Sequence, residues 1–311
     1  MRLARVLSGP AATAIAYFVL AAGSVTFARF SGGVAMAWTA SALLAGRLIH
    51  LPEQRWSAWM LPCGIASALA TGLLGLGWLS AIPFAVINIA EAAGAAWLWR
   101  RISKAFWPYD TLEWIASYYI GIALMLPLLT GALAACTGWL ILDLPLVENF
   151  THWIIGHSLG LLACLPIFHY VFTRLSRGRS FLPSSAQLPL AAVVVGSYAL
   201  LTFLVFTLDM RALLVFPLIY LVVSAAVLPG AITAILPVVM ILVGGGMTIS
   251  GQGPIAGMEM DFGDRMQFFQ LYLGVSVFAA FPITCERVRR LAEMRTMQRR
   301  IATLEAGQTL P

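Results

Sequence analysis

Charged residues are scarce in this chain. Asp, Glu, Lys and Arg together make up 10% of its 311 residues, whereas an ordinary globular domain contains about 25%. Hydrophobic residues make up 60%, and the mean hydropathy is +0.89. So few charges cannot give a folded domain of this size a polar surface, which argues against a soluble globular protein. The composition predicts an integral membrane protein whose apolar segments contact lipid.

Signatures of soluble catalysis are also missing. The sequence contains no H-E-x-x-H, G-x-S-x-G or kinase motif, and the glycine-rich stretch 243–254 lacks the Gly-Lys-Ser or Gly-Lys-Thr ending of a phosphate-binding loop. The four cysteines form no C-x-x-C pair and have no Cys or His nearby at metal-ligand spacing. We therefore predict no catalytic domain and no metal site, and the sequence does not identify a cofactor.

Apolar runs recur along the whole chain, separated by Pro, Gly or clusters of charge. A bilayer core of about 30 Å needs roughly 20 apolar residues per helix. The predicted spans are 10–28, 33–49, 57–77, 80–99, 113–140, 149–172, 187–207, 211–228, 230–248 and 266–285. They predict an all-α fold, a polytopic membrane helix bundle of about ten spans over residues 1–285, followed by a cytoplasmic helix and tail over residues 286–311.

Two of these assignments have alternatives. The first run also fits a secretory signal peptide, because MRLAR precedes it and VTFA resembles a small-residue cleavage site. The eighth and ninth runs are separated only by Pro229 and Gly230. The number of spans is therefore an estimate.

The loop charges predict the orientation of the bundle. With the N-terminus in the cytoplasm, 16 of the 19 Lys and Arg residues fall on the cytoplasmic side, and only Arg29, Arg211 and Arg265 fall outside. This distribution follows the positive-inside rule. We predict a multi-pass protein of the cell inner membrane with both termini cytoplasmic. The net charge of +6 then reflects orientation in the lipid bilayer, not nucleic-acid binding.

The fourth predicted span carries a carboxylate. Glu91 lies nine residues before Arg100, about 13 Å along a helix that rises about 1.5 Å per residue, and therefore near mid-bilayer. A charge at that depth costs roughly 2.5 to 3.5 kcal/mol, so Glu91 is expected to face the interior of the bundle and to find a partner. Asn88 lies three residues earlier, on nearly the same helix face.

Depth in the membrane indicates partners for Glu91. The sixth span enters the membrane from the outside, like the fourth, and the depth of its His157 differs from that of Glu91 by roughly 6 Å. Thr39 and Ser41 of the second span lie at a depth similar to that of Glu91. These side chains are predicted to form a polar cluster that binds a ligand or senses a signal. The alternative is structural: Glu91 and Asn88 satisfy one another and a backbone carbonyl, and the polar residues only hold helices together.

Five blocks of the sequence carry a resemblance to a known family. They are ALLAGR at 42–47, NIAEAAGAAWLWRR at 88–101, HWIIGHSLGLLACLPIF at 152–168, GQGPIA at 251–256 and QLYLGV at 270–275. In this order and spacing they resemble the first family of membrane-associated sensor domains (MASE) over roughly residues 25–290. The resemblance implies an all-helical, multi-span input domain of bacterial diguanylate cyclases, cyclic-di-GMP phosphodiesterases and histidine kinases. It implies no particular ligand.

Two patterns of that family map onto candidate sensing residues. Asn88 and Glu91 match its N-x-x-E pattern, and its W-x-x-G-D-x-x-G-x-L pattern begins at Trp153, with His157 in place of the acid. Because an unperturbed histidine titrates at about pH 6.5, the substitution would let the site respond to pH near neutrality. The family's Trp-Pro turn in the second span keeps Trp38 but lacks the Pro.

An apolar stripe continues beyond the last predicted span. At spacings of 3, 3, 3, 4 and 3 residues, it comprises Val288, Leu291, Met294, Met297, Ile301 and Leu304. The spacing resembles an imperfect coiled-coil seam and predicts a signalling helix that pairs two protomers into a homodimer. The alternative is an amphipathic helix lying on the inner leaflet. We expect the output to reside in a cytoplasmic domain absent from this sequence or in a partner protein.

Two functions from different classes fit these features. The first is a sensory input module, not itself an enzyme, that detects an unidentified signal and transmits it through the C-terminal helix. The second is a secondary transporter or channel that uses Glu91 and His157 as a relay. No internal inverted repeat is evident, and a C-terminal signalling helix has no obvious purpose in a transporter, so the sequence favours the sensor.

Overall fold

The computed structural model describes residues 9–27, 37–106, 112–178 and 184–308, with side chains except those of Phe27 and residues 304–308. Within these ranges the chain forms helices and no strand, as the sequence predicts. The helices are α1 (Pro10–Phe27), α2 (Thr39–Leu48), α3 (Ser57–Leu74), α4 (Trp78–Ala105), α5 (Leu112–Leu142), α6 (Leu146–Ser176), α7 (Ser185–Thr207), α8 (Arg211–Val227), α9 (Gly230–Ile249) and α10 (Phe262–Gln308).

Seven of these helices are long and apolar enough to cross a membrane, namely α3 to α7, α9 and α10. The apolar stretch Pro10–Thr26 of α1 and the helix α8 are shorter. The helix α2 has ten residues, which at about 1.5 Å per residue cover only about half of a bilayer core. Each of the ten predicted spans overlaps a helix, and the structure supports a multi-pass membrane protein with seven candidate spans. The count of ten and the side of the termini stay predictions.

Large apolar side chains cover the outside of the bundle. Leu61, Leu79, Ile82, Leu112 and Leu140 are each 70% exposed or more. A soluble protein rarely leaves so many large apolar side chains in contact with water. In a bilayer they contact acyl chains, and the belt they form agrees with a membrane-embedded domain.

The short helix α2 lies inside the N-terminal half, in contact with α1, α4 and α6. Eight of its ten residues are buried. The backbones approach closely: a Cβ atom on Gly160 of α6 would collide with the backbone of Trp38, and one on Gly46 would collide with Phe168. The Trp38 amide also donates to the Gly156 carbonyl oxygen at 3.0 Å. Small residues thus let α2 approach α6 closely near both of its ends.

Three helices contain a π-helical segment, at Tyr118–Met125 in α5, Gly160–Cys164 in α6 and Ile241–Gly245 in α9. Such segments are rare and occur often at functional sites. The first two contact each other. The Tyr118 hydroxyl donates to the carbonyl oxygen of Leu161 at 2.7 Å, which satisfies one backbone acceptor in the wider turn.

The helix α10 has 47 residues, about 70 Å at a rise of about 1.5 Å per residue. It packs against α8 and against α6, and it contains Pro282. The helix continues without interruption through residue 285. No break in secondary structure therefore marks the predicted division into 1–285 and 286–311, which stays a prediction.

Beyond residue 285 the apolar stripe of α10 is open to solvent. Exposed fractions are 47% for Val288, 51% for Met294, 63% for Met297 and 54% for Ile301. Leu291 is half-buried, and the side chain of Leu304 lies outside the described residues. A second helix or a lipid surface would cover this stripe, and the homodimer stays a prediction.

Candidate functional site

Glu91 lies in the middle of α4 and is fully buried, with 0% of its surface exposed. Its Oε1 atom lies 2.7 Å from Nδ1 of His157 on α6. Its Oε2 atom accepts a hydrogen bond from the hydroxyl of Thr130 on α5 at 2.7 Å. Both carboxylate oxygens therefore have a hydrogen-bond partner on a neighbouring helix.

Thr130 connects this carboxylate to a second side chain of α6. Its Oγ1 atom accepts a hydrogen bond from Nε1 of Trp153 at 3.2 Å. Its own proton is best placed for Glu91, because that contact is shorter than those to backbone oxygens of its own helix. A Cβ atom on the adjacent Gly131 would lie 3.1 Å from Trp153, so a glycine there lets the indole approach. The chain of hydrogen bonds thus links α4, α5 and α6.

Two indole rings bracket the imidazole of His157. Trp153, one turn earlier on α6, stacks on it with ring centroids 3.9 Å apart and an interplanar angle of 12°. Trp38, immediately before α2, stacks at 5.7 Å and 17°. The stacked rings leave Nδ1 of the imidazole directed towards Glu91. We refer to Glu91, His157, Thr130, Trp153 and Trp38 as the Glu91 cluster.

Asn88 belongs to a neighbouring group of polar side chains. Its Nδ2 atom donates to Oγ of Ser67 on α3 at 3.1 Å. Its backbone carbonyl accepts a hydrogen bond from Oγ of Ser41 on α2 at 3.2 Å. No hydrogen bond in the described part of the chain joins Asn88 or Thr39 to Glu91. The structural alternative in which Glu91 and Asn88 satisfy one another therefore does not describe this arrangement.

Three buried polar atoms near these groups have no hydrogen-bond partner among the described residues. They are the Tyr17 hydroxyl on α1, Nε1 of Trp38 and Oδ1 of Asn88. The Tyr17 hydroxyl lies beside the side chains of Ser67 and Trp38 without hydrogen-bond geometry. Because buried polar atoms are normally paired, these atoms can offer a polar molecule both donors and an acceptor. Within the ranges described above, no group of three His, Cys, Asp or Glu side chains is placed to hold a metal ion.

The family model of MASE1 matches residues 8–285, which include α1 to α9 and the membrane part of α10. The chain belongs to the MASE1 family. A MASE1 domain is a membrane-associated sensor module, so the chain carries a membrane-embedded sensory domain. No curated protein and no solved structure matches it.

In this MASE1 domain, four of the seven residues that the sequence singles out for sensing lie in one cluster: Glu91, His157, Trp38 and Trp153. The other three are Thr39, Ser41 and Asn88. The last two belong to the neighbouring group on α2, α3 and α4, and Thr39, half-buried at the start of α2, joins neither group. The sequence places Glu91 and His157 at depths that differ by roughly 6 Å, whereas in the structure their side chains are in direct contact.

Sequence reasoning did not find Thr130, Ser67 or Tyr17 in this MASE1 domain. Each is one polar residue in an apolar run, and such a residue often bonds only to its own helix. Thr137, two turns after Thr130 on α5, is of that kind, since its hydroxyl donates to the carbonyl oxygen of Leu133 at 2.7 Å. Sequence alone does not distinguish the two threonines.

Proposed function

We propose that this MASE1 domain is the input of a bacterial inner-membrane signalling protein and that its signal acts on the Glu91 cluster. Through α10 the response reaches a cytoplasmic output, a cyclic-di-GMP enzyme or a histidine kinase. The observation that carries the proposal is the buried pair of Glu91 and His157, which is hydrogen-bonded at both carboxylate oxygens and bracketed by two tryptophans.

A buried pair of this kind suits a switch. Leaving a buried polar group without its hydrogen-bond partner costs about 1 to 3 kcal/mol. Two conformations of a protein commonly differ by only a few kcal/mol. A signal that changes a proton in the cluster, or competes for its hydrogen bonds, would therefore change which arrangement of α4, α5 and α6 is more stable.

Both α5 and α6 contact α10. Leu159, two residues after His157, packs against Gly274, where a Cβ atom would lie 3.6 Å from the Leu159 side chain. The Tyr119 hydroxyl donates to the carbonyl oxygen of Phe278 at 2.9 Å. A shift of α5 or α6 at the cluster would change the packing of α10, and in a dimer it would change how the two apolar stripes meet.

The test is a fusion of residues 1–308 to a diguanylate cyclase domain, with cellular cyclic-di-GMP measured over a panel of growth conditions. Thr130→Val removes the donor to Glu91 and the acceptor of Trp153, whereas the matched control Thr137→Val removes only a bond to its own helix. We expect Thr130→Val to change the basal output about tenfold, which corresponds to about 1.4 kcal/mol, and Thr137→Val to leave it unchanged.

A purely structural cluster predicts the opposite pattern. Thr130→Val would then lower the amount of folded protein, while cyclic-di-GMP per folded molecule would stay that of the unmodified fusion. Ion or solute flux in proteoliposomes that is lost in Glu91→Gln would instead support the transporter and contradict the sensory proposal.

A further inference from the structure

A second site lies at the basic end of the bundle, between its N-terminal and C-terminal halves. It is a cavity of about 1250 Å³ lined by the last turns of α4 and α6, by the connection between α8 and α9, and by α10. Ordinary small-molecule sites occupy about 300 to 1,000 Å³, so a ligand with a sizeable body would fit. None of the residues of the Glu91 cluster lines this cavity.

The charge of the cavity wall has one sign. Its basic side chains are Arg100, Lys104, Arg174 and Arg177, and none of the described residues that line it is acidic. Arg100 is paired with Glu53 outside the cavity at 3.2 Å. Within the part of the chain that the structure describes, Lys104 and Arg177 form no ion pair. A ligand anion would supply the counter-charge that the wall lacks.

A pair of histidines lies beside these cations. The rings of His50 and His169 stack with centroids 4.8 Å apart, and Nε2 of His50 donates to the carbonyl oxygen of His169 at 3.3 Å. Burial lowers the pKa of His50, so its ring is neutral at pH 7. His50 therefore adds a hydrogen-bonding ring to the wall but no charge.

The deeper wall is aromatic and apolar. The rings of Trp99 and Trp114 meet edge to face with centroids 5.0 Å apart, and Phe281 lies 6.2 Å from Trp114. Leu162 and Leu221 line the same space. The cavity thus combines a cationic rim with an apolar interior, the combination that suits a molecule with one anionic end and one apolar end.

One face of α10 runs along the cavity. The residues that line it are Val277, Ala280, Phe281, Thr284, Cys285 and Val288. Spacings of three and four residues place them on a single side of the helix. Val288 is also the first residue of the apolar stripe, so a ligand in the cavity would contact the point where α10 passes from the bundle into that stripe.

We propose that this cavity binds an amphiphilic anion, with its phosphate or carboxylate at Lys104 and Arg177 and its apolar body against Trp99, Trp114 and Phe281. Basic pockets between membrane helices bind anionic head groups in this way. The ligand is either a lipid of the bilayer or a soluble anion with an apolar body. Binding of this ligand does not depend on the proposed sensory function. Only an effect of the ligand on a signalling output would rest on that function.

The test is thermal denaturation of the purified chain in a neutral maltoside detergent with four probes. Dioctanoyl phosphatidylglycerol and 1-naphthyl phosphate are amphiphilic anions, whereas dioctanoyl phosphatidylcholine lacks the net charge and inorganic phosphate lacks the apolar body. The cavity variants are Lys104→Gln and Arg177→Gln. The matched control is Arg101→Gln, since the Arg101 guanidinium lies over the Trp97 ring at 5.1 Å and does not line the cavity.

We expect saturable stabilisation by at least one amphiphilic anion. The apparent Kd should rise about tenfold in each cavity variant, as the loss of a charge-assisted hydrogen bond predicts, and stay unchanged in Arg101→Gln. A response to phosphatidylglycerol alone would identify a bilayer lipid as the source, and a response to naphthyl phosphate alone would identify a soluble anion.

Three results would overturn the assignment. They are equal stabilisation by phosphatidylcholine and phosphatidylglycerol, binding of inorganic phosphate as tight as that of the amphiphiles, and a loss in Arg101→Gln as large as in Arg177→Gln. Size-exclusion profiles and melting temperatures without probe identify any variant that fails to fold. Because the test measures probe binding by the purified chain and no output, failure of the sensory proposal would leave it intact.

Discussion

Replacing Glu91 by Gln or by Ala separates the loss of its charge from the loss of its hydrogen bonds. In Glu91→Gln the amide oxygen would accept the hydrogen bond from His157, and the amide nitrogen would donate to Thr130. The proton of Thr130 would then turn to the carbonyl oxygen of Leu126, 3.2 Å away. Every hydrogen-bonding position stays filled. In Glu91→Ala the Thr130 hydroxyl can still turn to Leu126, but the imidazole of His157 loses its partner at Nδ1 and the volume of the carboxylate is left empty.

The expected magnitudes follow from this difference. Leaving the buried imidazole of His157 without a partner costs about 1 to 3 kcal/mol, and the emptied volume adds about 1 to 2 kcal/mol. At about 2 to 4 °C per kcal/mol, Glu91→Ala should melt roughly 4 to 20 °C lower. A repaired hydrogen-bond network loses about 1 kcal/mol, so Glu91→Gln should melt within a few degrees of the unmodified chain. The exposed carboxylate Glu113 at the start of α5 provides the control Glu113→Gln, which should not change melting.

The assay is scanning fluorimetry in detergent, followed by the output of the cyclase fusion for each variant that stays folded. Equal losses of melting temperature in Glu91→Gln and Glu91→Ala would show that the hydrogen bonds contribute little and would refute this reading of the network. A stable Glu91→Gln variant with unchanged output and unchanged response would remove the charge of Glu91 from the sensory mechanism.

Three further predictions concern the architecture. Gly160→Ala should strongly lower the melting temperature, because the new Cβ atom would collide with the backbone of Trp38 just before α2. The control Gly196→Ala should not lower it, because no atom lies within 4 Å of the new Cβ atom there. If the apolar stripe pairs protomers, Met297→Cys should cross-link in native membranes after the natural cysteines are replaced, and Arg299→Cys should cross-link less; equal yields favour a helix on the lipid surface. Reporter fusions within 143–148 and after the end of α10 should report opposite sides of the membrane, and a common side would contradict the ten-span topology.

The buried pair could be located from the sequence because depth in a membrane follows from residue number. Counting at about 1.5 Å per residue from the charged helix ends places Glu91 and His157 in the same layer. An ionisable side chain is unfavourable against lipid at that depth, so both side chains are expected to point inward. These two constraints bring the residues near each other without knowledge of the neighbouring helices.

The remaining partners could not be located because they depend on helix rotation. Thr130 and Thr137 are alike in the sequence, and only packing against α4 and α6 turns one of them to Glu91 while the other bonds to Leu133. An apolar run also does not say whether it spans lipid or is buried in protein, so the sequence alone does not reveal that α2 is buried against α1, α4 and α6. The large cavity is formed by segments far apart in the chain, and no local pattern predicts it.

Because α10 runs without interruption from the bundle into the apolar stripe, the number of residues between them fixes the angle at which the stripe faces relative to the bundle. Each residue turns a helix by about 100°, so one residue inserted between the bundle and the stripe would rotate everything beyond it by that angle. Seven residues would return it to within about 20°. A domain attached to the end of α10 therefore inherits its orientation from the bundle, and a small rotation at the membrane would reach it undiminished about 30 Å away, the length of the last twenty or so residues of the helix.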